Sequence, residues 1–516
     1  MDIKEQSVFF LTNSLDVNRG GLSKAVLAQT KTFVENGYNT HLLTFNFNTR
    51  YNIIREELIA LGQLDSNVKL YNMYDLLCGI EEDSITPLNL KETGYLDKRD
   101  GYNAYRVYEN GMYVRYRSYH QDDSLDFIDH FDEHRYRTKR EIYDNYGHIR
   151  KVSFMDFALN KPRQMIFYNN KGTAYLSKWV NPETGKAIRV NWFDDDGKIK
   201  ATYKNDDELK VKWIERMISS SDNPVIISDS RMTDALMLKI SNKDAVKIWR
   251  LHSNHLTVPF ENDSDIAPTV QLGMDNLAKI DAAVVLTNHQ KREIEERFGK
   301  LDNLYAIPHA FESNLKKNFF GKLNVKKDEN KAVVVSRLSK IKNIHHMIKA
   351  FEIVVKSLPE AKLDIWGNGN EKESIQTLIN ELELENNVFL KGYTNDPSGK
   401  YQSALFGLLT SKTEGFALSI LESMANATPV ISYDIRYGAR EMIENGKNGV
   451  LIEKNDIDQL AKEMIKMFCN PDKAINMGEA AYDTIKNQFN NKVYADNWNK
   501  VVFGAIANRK KKNSKN

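Results

Sequence analysis

Over most of the chain, short apolar runs alternate with stretches in which apolar residues recur every three or four positions. VFFL at 8–11 leads through polar residues to the paired glycines Gly20 and Gly21, then to a helical pattern at 23–36. THLLTF at 40–45 and a second helical pattern at 53–62 follow. Strands and helices in that order predict βαβ units and a parallel sheet. Between about 90 and 205 the texture changes. Tyr, Phe, Arg and Asp alternate in runs such as YRVY and MYVRY, broken by turn signals at Asn110-Gly111, DNYG, NNKG, NPETG and DDDG. Such runs predict an antiparallel meander of hairpins. The βα texture then resumes with ELKVKWIERMISS, PVIISD, AVKIWRLHSNH, AAVVLTN and NLYAIPHA, which makes the meander an insertion. A Lys/Asn-rich linker at 316–331 precedes a second α/β series, KAVVVSRL to GVLIE.

The fold class this predicts is α/β, with two Rossmann-like domains facing a cleft and a β-rich antiparallel insertion in the first. The boundaries read 1–85 and 206–315 for the two parts of the N-terminal domain and 86–205 for the insertion. The C-terminal domain reads as 316–490, and 491–516 as a helix with a basic tail. Ligands of open α/β sheets bind at the carboxyl ends of the strands, so the cleft is the expected active site.

Composition adds limits. A chain of 516 residues exceeds one ordinary core, and a net charge of +2 gives no pull toward nucleic acid. Cys78 and Cys469 form neither a metal motif nor a disulfide framework, which fits a reducing cytoplasm. The N-terminal apolar run is short and lacks a basic flank, so no secretory leader is expected. No apolar run approaches the ~20 residues of a membrane span. The tail RKKKNSKN reads as solvated, with weak peripheral contact to the inner face of a membrane as the other reading.

Five motifs carry candidate chemistry. Gly20-Gly21 stands between strand and helix, where only glycine lets a backbone approach a phosphate; a plain turn is the alternative. Gly367-Asn368-Gly369 lacks the third glycine of a dinucleotide fingerprint, and a packing turn is the preferred reading. SRLSKIKN puts Arg337 and Lys342 after the strand that opens the second domain, where two cations suit a diphosphate gaining charge as it leaves. TEGFALSILES sets Glu414 at the end of a strand and Glu422 eight residues later, expected two turns into a helix on nearly the same face. The backbone at 415–418 would be the helix N-terminus, a second anion seat. His252 and His255 end the strand VKIWRL; with no third ligand nearby, contact with a sugar hydroxyl or a reacting oxygen is preferred over zinc.

Together, strand-GG-helix, Arg-x4-Lys, GxG and E-G-F-x-L-x-x-x-E resemble the retaining GT-B glycosyltransferases over about 1–85 and 206–490. LDVNRGG, VFLKGYTND and YDIRYGAREMIENGKNGVLIE are similar to the wall teichoic acid α-glycosyltransferases; enzymes that glycosylate serine-rich adhesins share much of the layout. The resemblance implies a UDP-sugar donor, glucose or N-acetylglucosamine, and a poly(glycerol phosphate) or poly(ribitol phosphate) acceptor. The alternatives are Ser/Thr hydroxyls of an adhesin repeat, or a non-catalytic GT-B-like subunit. Gly21 would lie against the diphosphate, with Gly20 beside it, and Arg337 and Lys342 would neutralise it. Glu422 would hold the ribose and Glu414 the donor sugar. Thr394 and the amides around Phe416, Ala417 and Leu418 would contact sugar or nucleotide. His252 would sit by the anomeric carbon, and His255 by acceptor or sugar. No metal or other cofactor is implied. The insertion would build a homo-oligomer, a trimer in that family, with an acceptor platform or lid as the alternative.

Overall fold

The computed structural model describes residues 3, 6–17, 21–79, 87–88, 90–318, 323 and 325–514. The chain divides into two compact units, Met1–Val246 and Lys247–Asn516.

In the first unit the strand Ser7–Thr12 is buried at every position. It lies parallel to Asn39–Thr44 on one side and to Val225–Ser228 on the other, with Lys69–Asn72 beyond Asn39–Thr44. Near-continuous apolar runs such as VFFL and VIIS suit a parallel sheet covered on both faces. The helix Gly21–Glu35 links the first two strands. Asn72 ends a strand and caps the helix Met73–Cys78, its side chain accepting from the amides of Tyr74 and Asp75.

Between those strands and the return at Val225 lies the meander. Ten strands, from Tyr95–Lys98 to Ile199–Tyr203, stand side by side in chain order, each antiparallel to the next. Asn110 and Gly111 both take positive φ, 49° and 81°, the mirror-image turn that matches strand twist. In DNYG, NNKG and DDDG, the leading Asp144, Asn169 and Asp194 each accept from the amides two and four residues on. Their glycines, Gly147, Gly172 and Gly197, supply φ of 85°, 78° and 77°.

Cations fasten this sheet to the α/β part, Lys178 and Arg150 from buried positions and Arg216 from the surface. Lys178 donates to the Tyr74 hydroxyl at 2.7 Å and pairs with Asp206. Arg150 reaches Asp144 and the Cys78 sulfur, each at 3.3 Å. The Arg216 guanidinium of the helix Asp206–Ile218 lies 4.5 Å from the Trp192 ring centre.

The second unit opens with three parallel strands, Val246–Arg250, Ala282–Val285 and Leu304–Ala306. A six-stranded parallel sheet follows, in the order Val388–Gly392, Lys362–Trp366, Asp328–Val335, Ala404–Leu409, Val430–Tyr433, Val450–Ile452. Strand order therefore reverses between Asp328–Val335 and Ala404–Leu409, where crossovers part to opposite sides and open a crevice at the carboxyl ends. Ile365, Phe351, Phe406 and Met424 are fully buried in its core.

The final helix, Asn491–Asn513, takes in much of the basic tail. Arg509 and Lys512 pair with Asp281, whose side chain is 0% exposed, at 2.7 and 3.2 Å. These two charges neutralise a buried carboxylate, which corrects the reading of the tail as merely solvated. Lys510 and Lys511 remain exposed.

Candidate active site

Two loops leave the carboxyl ends of the strands at the reversal. The first, after Asp328–Val335, carries Arg337, which is exposed, and a 3-10 turn, Lys340–Lys342. The Thr410 hydroxyl, at the end of the neighbouring strand, donates to the carbonyls of Lys342 and Asn343 at 3.2 and 3.0 Å. The Lys412 amide donates to the Ile341 carbonyl at 2.8 Å. The second loop carries Glu414. Lys342 Nζ and Glu414 Oε1 pair at 2.5 Å, and the Ser411 hydroxyl donates to the same oxygen at 2.6 Å. Two cations and a carboxylate thus stand at the switch point, with Lys342 and Glu414 neutralising each other.

The GxG turn is a packing device. A Cβ on Gly367 would lie 1.8 Å from the Ser336 carbonyl oxygen, and one on Gly369 2.1 Å from that of Leu338. The two glycines let this turn support the Arg337 loop from below, and the Gly367 amide donates to the Gly392 carbonyl at 2.7 Å. Gly392 leads into Tyr393, 58% exposed, and Thr394, whose hydroxyl accepts from the Asp396 amide at 3.0 Å.

His252 comes to the same place by backbone contact. A Cβ on Gly415 would lie 2.0 Å from the His252 carbonyl oxygen, so glycine is required beside Glu414. Asn254 Nδ2 ties the loops by donating to the Thr413 hydroxyl at 2.7 Å. The His252 ring stacks on His309 with centroids 5.5 Å apart, and His309 meets Phe416 edge-on at 5.8 Å. Burial, then the nearby Arg250 and His252, keep His309 neutral by pushing its pKa far below the usual value.

The helix after Glu414 runs Leu418–Ala425. Ala417 at its N-cap has φ 61° and offers no side-chain cap, so amides at the first turn are open to an anion. The side chains of Phe416 and Ala417 are buried, which leaves them their backbone for any ligand contact. Glu422 is the fifth residue of that helix, little more than one turn in, not two, because the helix starts at Leu418.

His255 needs a correction. It is 1% exposed, stacks on Tyr437, and its Nδ1 lies 3.3 Å from the Tyr437 hydroxyl. Burial pushes its pKa down to about 4. It is an interior histidine, and this placement gives it no path to acceptor or sugar. Gly21 begins the helix Gly21–Glu35; Gly20 lies outside the described residues. Among the described residues no group of three His, Cys, Asp or Glu side chains is placed to hold a metal ion.

Comparison with known proteins adds to this geometry. Residues 316–484 match the model of the family "Glycosyl transferases group 1". The poly(glycerol-phosphate) α-glucosyltransferase of Bacillus subtilis is 30% identical over 513 residues, covering 96% of this chain and 75% of that protein. The chain belongs to this family of GT-B α-glycosyltransferases. The poly(ribitol-phosphate) α-N-acetylglucosaminyltransferase of Staphylococcus aureus is 27% identical, covering 96% of this chain and 99% of that protein. A crystal structure of a mutant S. aureus TarM with fondaparinux, α-GlcNAc-glycerol and UDP superposes with a TM-score of 0.84 at 25% identity, over 96% of this chain and 99% of that one.

In this GT-B enzyme a further group of residues, unassigned from sequence, supports the site. Arg436 donates to the Phe260 carbonyl at 2.6 Å and pairs with Glu293 at 2.7 Å, while Tyr437 hydrogen-bonds the same Glu293. Burial alone would raise Glu293, but bonds from His289 and Tyr437 and the Arg436 charge hold it down. The Glu414 amide donates to the Arg436 carbonyl, and the Tyr437 amide to the Glu414 carbonyl, both at 2.8 Å. YDIRYG is thus the brace that fixes the Glu414 backbone. Glycine is needed there too, since a Cβ on Gly438 would lie 2.1 Å from the Phe416 carbonyl oxygen.

Proposed function

We propose that this enzyme transfers glucose or N-acetylglucosamine from a UDP donor to hydroxyls of poly(glycerol phosphate) or poly(ribitol phosphate), with retention at the anomeric carbon. The observation that carries the reading is the meeting of Lys342, Glu414 and the His252 loop at the strand-order reversal. Arg337 and Lys342 bind the donor diphosphate and stabilise it as it leaves. Glu414, released from Lys342 by the donor phosphates, accepts from the sugar hydroxyls, and Glu422 from the ribose. Amides at 416–418 and Thr394 complete the donor site, with Gly21 against the diphosphate. The near-full-length likeness to two polyol-phosphate transferases favours a polyol-phosphate acceptor over a protein one.

The reaction is a front-face substitution. The acceptor oxygen bonds to the anomeric carbon as the bond from that carbon to the diphosphate oxygen breaks on the same side. The acceptor proton passes to the departing phosphate, giving UDP and the α-glycoside. Both carboxylates have other work, and His252, backed by His309, steadies the sugar at the reacting centre. The cations carry the leaving group, so no metal is required.

The meander is the proposed homo-oligomer surface, most simply of a trimer. Tyr95, Tyr102, Phe157 and Ile188, each more than half exposed, support that role. We place the enzyme in the cytoplasm, where Cys78 and Cys469 stay as the free thiols they are, with Lys510 and Lys511 open to weak contact at the inner membrane face. Radiolabelled UDP-glucose and UDP-N-acetylglucosamine offered with polyol-phosphate and serine-repeat acceptors test the reading. Label in the polyol phosphate supports it; label in the peptide alone, or donor hydrolysis absent throughout, refutes it.

A further inference from the structure

A cavity of about 440 Å³ opens beside the two active-site loops and is used by nothing described above. That volume lies within the range of small-ligand sites, about 300–1,000 Å³. Its walls share the loops of the reacting centre. Asn343 directly follows Lys342, and Lys412 lies between Ser411 and Thr413 in the loop that presents Glu414. Phe260, whose carbonyl receives Arg436, forms part of an apolar wall.

The cavity's chemistry is one-sided. His346, Lys412 and Lys454 line it, together with Asn343 and Asn455, and no carboxylate does. The three basic groups come from three elements: the first turn of the helix Ile344–Ser357, the loop after Ala404–Leu409, and the loop after Val450–Ile452. Neither lysine has an ion-pair partner among the described residues, whereas Lys342, Lys317 and Lys178 in this protein all do. His346 is fixed by its Nδ1, 3.0 Å from the Tyr433 hydroxyl. Two acids flank Lys454 and Asn455 in sequence, Glu453 and Asp456; neither lines the cavity, and Asp456 is engaged in capping the helix Ile457–Cys469. Burial, then the charges of Lys349, Lys412 and His345, push His346 down in pKa.

We propose that this cavity is a phosphodiester subsite that receives a phosphate of the acceptor chain next to the unit being glycosylated. The proposal rests on the acceptor class argued above. Lys412 and Lys454 supply charge, and Asn343 and Asn455 supply amide donors. A phosphate held here positions the polymer against Lys342 and Glu414 without touching the donor. Binding of this kind is felt equally before and during reaction, so it acts on acceptor KM and not on kcat.

The test is a Lys412→Met/Lys454→Met enzyme assayed with three acceptors or readouts. With poly(glycerol phosphate), acceptor KM rises about tenfold or more and its salt dependence flattens, each lost charge-assisted contact being worth roughly a tenfold change. With free glycerol, an acceptor without phosphate, and in donor hydrolysis, rates and donor KM stay at the parent values. Unchanged polymer KM overturns the proposal. So does a rise confined to donor KM, which would assign the cavity to the UDP diphosphate. So does loss of binding to anionic phospholipid vesicles with polymer KM intact, which would assign it to a membrane. A parent enzyme inactive on polyol phosphates refutes the function reading instead. Titration of parent and variant with glycerol 3-phosphate then decides the cavity alone, equal affinity overturning it.

Discussion

At the scale of single residues, the decisive pair is Lys342 and Glu414. They neutralise each other at 2.5 Å, and neither is more than about one-sixth exposed. Lys342→Ala removes the proposed charge partner of the departing diphosphate, and turnover at saturating donor should fall on the order of 100-fold or more with the fold intact by circular dichroism. Unchanged turnover would remove Lys342 from the chemistry. Glu414→Gln is impaired, azide does not rescue it, and mass spectrometry of the quenched parent reaction finds no glycosyl ester on Glu414. Such an ester would establish double displacement instead. Gly415→Ala drives a methyl group into the His252 carbonyl, so it reduces both activity and melting temperature. The positions of Arg337, Lys342, Glu414 and His252 were legible in the sequence, because each follows an apolar run at a strand's carboxyl end. Ser411, His309 and Arg436 were not, because their roles come from partners the chain brings together only on folding. Asn254, 159 residues from Thr413, is of the same kind.

At the scale of elements, the hairpins of the meander were plain from their turns, because Asx and glycine at fixed offsets do the local work of reversing the chain. Its attachment was not plain. Nothing in the sequence around Lys178 and Arg150 sets them apart from other strand charges, yet they reach the α/β part and are buried there. Excision of 86–205 would therefore strip cover from Tyr74, Cys78 and Asp206 and confound any test of assembly. Substitution at the surface is the cleaner test. Phe154, Gln164, Trp179 and Arg189 are neighbours in register on consecutive strands and so share a face, with Phe154 and Trp179 both more than one-third exposed. Phe154→Asp/Trp179→Asp lowers the particle mass by light scattering to that of one chain if this face makes the oligomer. The parent's mass in the variant would place the assembly elsewhere.

At the scale of the whole molecule, buried histidines set the acid limit of stability. Burial, with help from Lys69 at His41, lowers both His41 and His255 from 6.5 to about 4. Between those values the unfolded chain binds protons that the folded chain refuses, so stability falls as pH drops from about 6.5 to 4 and is level above. Each ring contributes up to about 1.4 kcal/mol per pH unit in that window. Glu92 and Glu141 act lower. Burial would raise them, but hydrogen bonds from Arg115 and from His130 and Lys139 hold both near 2, so their contribution is lost only as pH falls from about 4.5 to 2. Melting temperature should therefore decline between pH 6.5 and 4.5, and less steeply in His255→Phe. A flat profile in the parent would show that these rings are protonated in the folded protein.

The central claim is α-glycosyl transfer to a polyol phosphate at the Lys342–Glu414 centre. It is tested most directly by incubating the purified enzyme in EDTA with a UDP-sugar and poly(glycerol phosphate) or poly(ribitol phosphate), then reading the anomeric proton of the polymer by NMR. The account predicts a new α-anomeric signal on the polymer, formed without added metal and nearly abolished in Lys342→Ala. A β signal, a polymer that stays unmodified while the donor is consumed on another acceptor, or full activity in Lys342→Ala would contradict it.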